Sequence, residues 1–240
     1  LAERRLGLGA SDMANADTGA YGGGYAVVAD KLGYDTDDNK NLGAKQRGHE
    51  WEQRIADAVH ALTGLYVIGE QLQIISAANP VHRFTADGLL ATTAEILGVD
   101  EADYVLEIKT KTQWVTGKRG YFYSQIQWQL HVTGFRRALL VIVSFTLDDT
   151  GNEIVQHVEL EWIDRDDYLI AQLVELADRL WAHVQAGTLP DPDAFTPIDV
   201  VKEVNRHGRR LLLPQLRLQG RQFPLQPLEF GALRQLELHV

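Results

Sequence analysis

The stretch Tyr104-Val105-Leu106-Glu107-Ile108-Lys109-Thr110 is a short run of β-forming apolar residues that contains one carboxylate and one ammonium group, two positions apart. Side chains alternate between the two faces of a strand, so Glu107 and Lys109 are predicted to share one face while Leu106 and Ile108 point into a core. A charged pair on a buried strand costs free energy unless something uses it. The stretch therefore predicts a central strand that carries a functional site.

A second carboxylate lies upstream, in the segment Thr85-Ala86-Asp87-Gly88. Hard divalent cations such as Mg²⁺ are held by carboxylates, carbonyl oxygens and water. Asp87 and Glu107 are therefore the candidate carboxylate ligands, and the main-chain carbonyl of Ile108 is available as a third oxygen. Lys109 would orient or deprotonate an attacking water and offset the charge of a phosphate. An Asp followed by Glu-x-Lys predicts a metal-dependent phosphodiesterase site.

Composition limits the other possibilities. The chain has 240 residues, 45% of them hydrophobic, which is enough for a domain with its own core. It has no cysteine, so a metal must be held by oxygen or imidazole. The net charge of −10 argues against a protein that only coats nucleic acid, although residues 198–240 are basic on balance. No apolar run is long enough for a membrane span and no signal peptide is visible, which favours a cytoplasmic protein without membrane contact.

The hydrophobic periodicity predicts alternating helices and strands. Helices are expected at residues 25–32, 44–62, 121–134 and 165–187, and further strands at residues 65–75, 83–90, 138–145 and 156–162. Ser11 or Asp12 is expected to cap the first helix, and Gly88 to let the chain bend sharply.

Three glutamines alternate along the helix predicted at residues 121–134. Because helical residues two positions apart do not face each other, Gln125, Gln127 and Gln129 cannot all lie on one face. Only one of them is expected to reach the site.

Five blocks of sequence resemble the PD-(D/E)XK nuclease superfamily and, within it, the YqaJ-like viral recombinases of the phage lambda exonuclease family. The blocks are Arg5-Leu6-Gly7 with Ala10-Ser11-Asp12, Gly48-His49-Glu50-Trp51-Glu52, Thr85-Ala86-Asp87-Gly88, Leu106-Glu107-Ile108-Lys109, and Tyr123-Ser124-Gln125-Ile126-Gln127 continuing to Val132-Thr133-Gly134. The resemblance implies an α/β fold, with a mixed central β-sheet flanked by helices as in restriction-endonuclease-like nuclease cores. We expect residues 1–196 to form the nuclease domain and residues 197–240 a small C-terminal appendage of unknown role.

The resemblance also implies roles for individual residues. Asp87 and Glu107 look like ligands of Mg²⁺, for which Mn²⁺ could substitute, and Lys109 looks like the catalytic lysine. Glu52 looks like the helix glutamate that helps to hold the metal site, directly or through water. Gln125 is similar to the glutamine that positions the lysine or the water.

A second implied site is a pocket for a terminal 5′ phosphate, formed by Arg5 and Ser11. The first block is one residue shorter than in the phage lambda exonuclease family, so Arg4 competes with Arg5 for this role. Glu50 likewise competes with Glu52 for the role of the helix glutamate.

The function implied is a Mg²⁺-dependent exonuclease that degrades one strand of linear double-stranded DNA from the 5′ end and leaves single strands for recombination. Its partners would be DNA ends, a single-strand annealing protein and further copies of the chain in a ring. Two alternatives stay open. One is a structure-specific nuclease or endonuclease of the same superfamily, and the other is a DNA-end-binding module with an inactive site.

Overall fold

The structure is a computed structural model that describes residues 3–34, 55–56, 58–69, 71–93, 102–111, 119–147, 149 and 153–191. The strands are β1 (Tyr66–Ile68), β2 (Gln73–Ile75), β3 (Arg83–Thr85), β4 (Gly88–Ala91), β5 (Tyr104–Lys111), β6 (Arg137–Leu147) and β7 (Glu153–Asp164). The helices are α1 (Ala10–Thr18), α2 (Gly23–Leu32), α3 (residues 55–63, with 57 not described), α4 (Arg119–Thr133) and α5 (Asp167–Ala186), with short 3₁₀ turns at Glu3–Leu6 and Ala20–Gly22.

The main sheet has five strands in the order β1-β4-β5-β6-β7, and β2 and β3 form a separate pair. The strands β5 and β6 run parallel, and the other neighbours are antiparallel. The prediction of a mixed sheet flanked by helices is therefore confirmed. Since β5 hydrogen-bonds to β4 on one side and to β6 on the other, the strand that carries Glu107 and Lys109 lies in the middle of the sheet.

The two faces of β5 contact different parts of the core. Leu106 and Ile108 pack in one apolar cluster with Ile55 and Val59 of α3. Val105 packs in the other cluster, which contains buried apolar residues from α1, α2, α4 and α5. The predicted alternation is confirmed, and it places Glu107 and Lys109 on the face covered by α4.

Trp128 of α4 connects three parts of the fold. Its side chain is fully buried, and Nε1 donates to the carbonyl oxygens of Leu8, at 3.3 Å, and Arg83, at 3.2 Å. Leu8 belongs to the N-terminal segment and Arg83 to β3. The indole therefore fixes both segments against α4, with its one polar atom satisfied.

Several predicted element boundaries need correction. Residues 65–75 do not form one strand, because Gly69 and Gln71 adopt positive φ values of 63° and 55° and separate β1 from β2. The cap of α1 is Gly9, and Asp12 at the third helical position accepts a hydrogen bond of 2.8 Å from the Gly9 N–H.

Parts of the predicted pattern lie outside the described residues, including most of the helix at 44–62, the histidine at position 49 and the whole appendage at 197–240. Within the described part of the chain, no helix is long and apolar enough to cross a membrane.

A pair of histidines couples the stability of this core to pH. Nδ1 of His82 lies 3.0 Å from Nε2 of His131, and both rings pack against Trp128. Burial and the nearby His82 and Arg165 lower the pKa of His131 to about 4. Burial also lowers the pKa of His82, against the opposing effect of Asp178. Both rings are therefore neutral in the folded protein at neutral pH.

We predict that the protein loses stability as the pH falls from about 6.5, the pKa of a histidine in the unfolded chain, to about 4, the pKa of His131 in the folded protein. The unfolded histidines take up protons near about pH 6.5, whereas folded His131 does so only near pH 4. The unfolded chain therefore binds more protons in this window, and the stabilisation is complete only above it. Urea unfolding across the window should show a weaker pH dependence for His131→Gln than for the unsubstituted chain. Equal pH dependences would contradict the assignment.

Candidate active site

The site is built on a buried ion pair between neighbouring positions of one strand face. Glu107 is 1% exposed, and its Oε1 accepts a hydrogen bond from Nζ of Lys109, whose side chain is 23% exposed. Burial alone would lower the pKa of Lys109, but the charges of Glu107 and Asp87 together outweigh it and raise this pKa. Lys109 is therefore an ammonium that holds a buried carboxylate in place.

Two glutamines of α4, rather than one, reach this carboxylate. Nε2 of Gln125 donates to Oε1 of Glu107 at 2.6 Å, and Nε2 of Gln129 donates to Oε2. Residues four positions apart share a helix face, which the prediction of a single glutamine overlooked. Gln127 points elsewhere, and its amide bridges the carbonyl of Asp164 and the N–H of Asp166 ahead of α5.

Asp87 lies where the pairing of β4 with β5 ends. The last pair in the register is Gly88 with Leu106, and Oδ2 of Asp87 accepts a hydrogen bond of 2.8 Å from the N–H of Ile108. The N–H and C=O of one residue point to the same side of an extended strand. The carbonyl of Ile108 is therefore also directed towards the Asp87 side, as its predicted role requires.

These oxygens suit a hard divalent cation. Asp87 and Glu107 supply two carboxylates next to one main-chain carbonyl, and Mg²⁺ in proteins commonly uses one or two carboxylates with water and substrate completing its shell. Among the described residues no group of three or more His, Asp and Glu side chains could hold a metal by itself. Glu50 and Glu52, the candidates for a further carboxylate, lie outside the described residues.

Gly88 has a different role from the predicted one. Its φ does not lie in the left-handed region, so it is not needed for a sharp bend. A Cβ at this position would lie 2.8 Å from Cγ1 of Val67 and 3.3 Å from Cδ2 of Leu106. The missing side chain therefore allows β1 and β5 to approach β4 closely, directly beside Asp87.

A second charged cluster surrounds the first turn of α1. The side chain of Lys31 in α2 is completely buried, and Nζ lies 2.6 Å from Oδ2 of Asp12. The same Nζ donates to the main-chain carbonyl of Arg4 at 2.9 Å. Lys31 therefore joins α1, α2 and the N-terminal segment through one ammonium group.

Of the two competing arginines, Arg4 has contacts with this cluster. Its guanidinium lies 3.8 Å from Asp12, next to the exposed Ser11. The guanidinium of Arg5 lies over the end of α2, where a Cβ at Gly33 would be 3.2 Å from its Nη1. The pairing of Arg5 with Ser11 stays a prediction, and the contacts favour Arg4 as the arginine beside that turn.

Tyr121 lies near the start of α4, and charged residues of both clusters affect its hydroxyl group. Burial raises the pKa of its hydroxyl, and the charges of Lys109, Glu107 and Asp12 act on the same group. Its ring packs edge-on against that of Tyr21, which lies in the turn after α1, so the start of α4 lies against this segment.

The fold and this site agree with the class of protein that the sequence predicts. A mixed sheet whose central strand presents Glu-x-Lys, next to an aspartate at the end of the neighbouring strand, is the arrangement expected of a nuclease core.

Comparisons with known proteins identify the family. The chain belongs to the YqaJ-like viral recombinase domain family, whose sequence model matches residues 1–136 and so includes Asp87, Glu107, Lys109, Gln125 and Gln129. No curated protein matches the sequence significantly.

Solved structures with the same fold include an alkaline exonuclease, LHK-Exo, from Laribacter hongkongensis. It has 23% sequence identity and a TM-score of 0.58, over 85% of this chain and 96% of that one. A phage-related exonuclease from Haemophilus somnus 129PT has 13% identity and a TM-score of 0.54, over 75% of this chain and 94% of that one. These similarities confirm the predicted fold, and the family model confirms the predicted family.

We predict that Gly88→Ala destabilises the protein and weakens its activity. The added methyl group has no space beside Val67 and Leu106, and overpacking of this kind costs about 1–3 kcal/mol. Chemical unfolding should show this loss, and Val67→Ala in the same chain should recover part of it, because the two positions are in contact. Additive effects of the two substitutions would contradict the close approach.

Proposed function

We propose that this protein is a Mg²⁺-dependent deoxyribonuclease that hydrolyses phosphodiester bonds of linear double-stranded DNA from the 5′ end towards the 3′ end. Mn²⁺ should substitute for Mg²⁺. The observation that carries the proposal is the buried carboxylate of Glu107, held by Lys109 and two glutamines next to Asp87. A buried charge with this many donors is more than a plain ion pair on the sheet would need.

Each residue of the site would have a separate role in the reaction. Asp87, Glu107 and the carbonyl of Ile108 would hold the cation, with Glu52 contributing directly or through water. The bound cation supplies charge stabilisation at the phosphate and activates a water. Lys109, held as an ammonium beside Glu107, orients that water, and its positive charge faces the phosphate. Gln125 fixes the oxygen of Glu107 to which Lys109 is bound.

The reaction proposed is an in-line hydrolysis. The water oxygen forms a bond to phosphorus and its proton passes to solvent, while the bond from phosphorus to the 3′ oxygen of the terminal nucleotide breaks and that oxygen takes up a proton from solvent. The terminal nucleotide leaves as a 5′ mononucleotide, and the attacked phosphate stays on the new 5′ end of the strand. The alkaline exonuclease from Laribacter hongkongensis has also been solved in complex with dAMP, with 23% identity and a TM-score of 0.57 over 77% of this chain and 91% of that one. A mononucleotide is the product expected of an exonuclease, which supports the proposed reaction.

The polarity rests on the terminal phosphate pocket. Ser11 on the first turn of α1 and an arginine, Arg5 or Arg4, would bind the 5′ phosphate, since a helix N-terminus and a guanidinium both favour an anion. Asp12 would repel a phosphate there, but its charge is offset by the buried ammonium of Lys31. The pocket can therefore accept an anion even though a carboxylate lies beside it.

The proposed setting is the cytoplasm of a bacterial or phage-infected cell, where the single strand produced would pass to an annealing protein. Several copies of the chain could form a ring around the duplex. The basic residues of 197–240 would then contact DNA or the annealing partner. Deletion of 198–240 tests this role, because unchanged end resection and partner binding would exclude it.

Two other functions remain as outcomes of the experiment. An endonuclease of the same superfamily would use the same site and would not need a DNA end. A DNA-end-binding module with an inactive site would bind DNA without a metal and would not depend on Lys109.

We predict that one strand of an end-labelled linear duplex is degraded from its 5′ end in Mg²⁺, and that Lys109→Ala slows this at least about 10²-fold because a charge aimed at the phosphate is lost. A time course on duplexes with and without a 5′ phosphate, beside a closed circular DNA, measures both effects. Arg4→Gln, Arg5→Gln and Ser11→Ala should reduce the preference for the phosphorylated end if they form the pocket. Cutting of the circle would establish the endonuclease instead, and metal-independent binding without cleavage would establish the binding module.

We also predict that Ca²⁺ supports DNA binding without cleavage. Ca²⁺ accepts oxygen ligands like those of Mg²⁺, but its bonds to oxygen are longer and its coordination geometry is less regular. It should therefore offset the negative charge of the site without positioning the water and the phosphate for hydrolysis. Fluorescence anisotropy with a labelled duplex and a parallel cleavage gel separate binding from hydrolysis. Rapid cutting in Ca²⁺ would contradict the mechanism.

A further inference from the structure

The two oxygens of Glu107 are bound unequally. Oε1 accepts from both Lys109 and Gln125, whereas Oε2 accepts from Gln129. A carboxylate oxygen has two lone pairs. Within the part of the chain that the structure describes, the donors to Oε1 fill both of its lone pairs, and Oε2 keeps one.

Gln129 has a second unusual property. Its side chain is 1% exposed, and its Oε1 has no hydrogen-bond partner among the described residues. The orientation of the amide is determined by its neighbour, because a flipped amide would place its oxygen against the carboxylate of Glu107. A buried acceptor left without a donor is unfavourable, and in folded proteins a buried water or an ion often satisfies such a group.

From these two observations we infer that Gln129 is a positioning residue of the proposed metal site. It directs Oε2 of Glu107 so that the remaining lone pair of this oxygen faces the divalent cation, and its own Oε1 accepts a hydrogen bond from a buried water that accompanies the cation. Gln125 and Gln129 thus have separate tasks, since Gln125 shares Oε1 with Lys109 and Gln129 alone sets Oε2. The inference rests on the function proposed above.

The opposing possibility is that Gln129 only satisfies a buried charge. A purely structural role predicts that its loss destabilises the fold equally with and without a cation. A positioning role predicts a change in cation affinity, because groups that orient a metal ligand typically affect metal affinity about 10–100-fold when they are removed.

The test measures cation binding separately from activity. Mg²⁺ and Mn²⁺ are titrated calorimetrically into the full chain without DNA, and thermal unfolding is followed in EDTA and in Mg²⁺. Gln129→Met, which is similar in length and cannot donate, should raise the dissociation constant of the cation about tenfold or more. Gln127→Met is the matched control on the same helix, equally buried but bonded to the segment before α5, and should lower the melting temperature without changing the dissociation constant.

A second variant keeps the test decisive if Gln129→Met does not fold. Gln129→Asn keeps the amide but is one methylene shorter, so it no longer reaches Oε2 of Glu107, and Mg²⁺ should raise its melting temperature less than that of the unsubstituted chain. An unchanged dissociation constant in Gln129→Met, or an equal stabilisation by Mg²⁺ in Gln129→Asn, would overturn the inference.

The same measurements separate the inference from the proposed function. If the unsubstituted chain binds the cation and cleaves DNA while the variants bind it equally well, only the inference is wrong. If the unsubstituted chain neither binds the cation nor cleaves DNA, the proposed function fails, and the inference fails with it.

Discussion

The buried carboxylate of Glu107 is the constraint on which the rest of the site depends. Removing a charge from water costs several kcal/mol in a real protein interior, and this cost is offset only when the charge is paired and hydrogen-bonded. Here the compensation comes from Lys109 on the same strand and from Gln125 and Gln129 on α4. The helix must therefore lie over this face of β5 in one register, because a shift of one residue would replace both amides with other side chains.

The position of Asp87 follows from where strand pairing stops. β4 pairs with β5 only as far as Gly88 opposite Leu106, so the backbone of β5 beyond that point needs another partner on this side. The carboxylate of Asp87 satisfies the N–H of Ile108 there. The side chain of Asp87 thus lies where the pairing of β4 and β5 ends, and it brings a second negative charge close to the ion pair of Glu107 and Lys109. The short block around Asp87 therefore determines both the end of a strand and a part of the site.

The sequence predicted local features better than distant contacts. Alternation placed Glu107 and Lys109 on one strand face correctly, because the period of a strand is a local property. The left-handed turn at Gln71 could not be predicted, since the residue type gives no signal for a positive φ. The role of Gly88 was missed because it depends on Val67, from another strand. The contribution of Gln129, by contrast, was readable from its spacing of four from Gln125.

The helix α4 connects the strand that carries Glu107 to the N-terminal segment. One part of it supplies the amides that hold Glu107, while Trp128 donates to the main chain of Leu8 in the segment that precedes α1. Tyr121, near its start, packs edge-on against Tyr21 in the turn that follows α1. The function proposed above requires a fixed distance between the proposed phosphate pocket and the reacting bond. A single rigid helix in contact with both can set that distance, because residues 124–130 are all buried and it cannot move without disturbing the core.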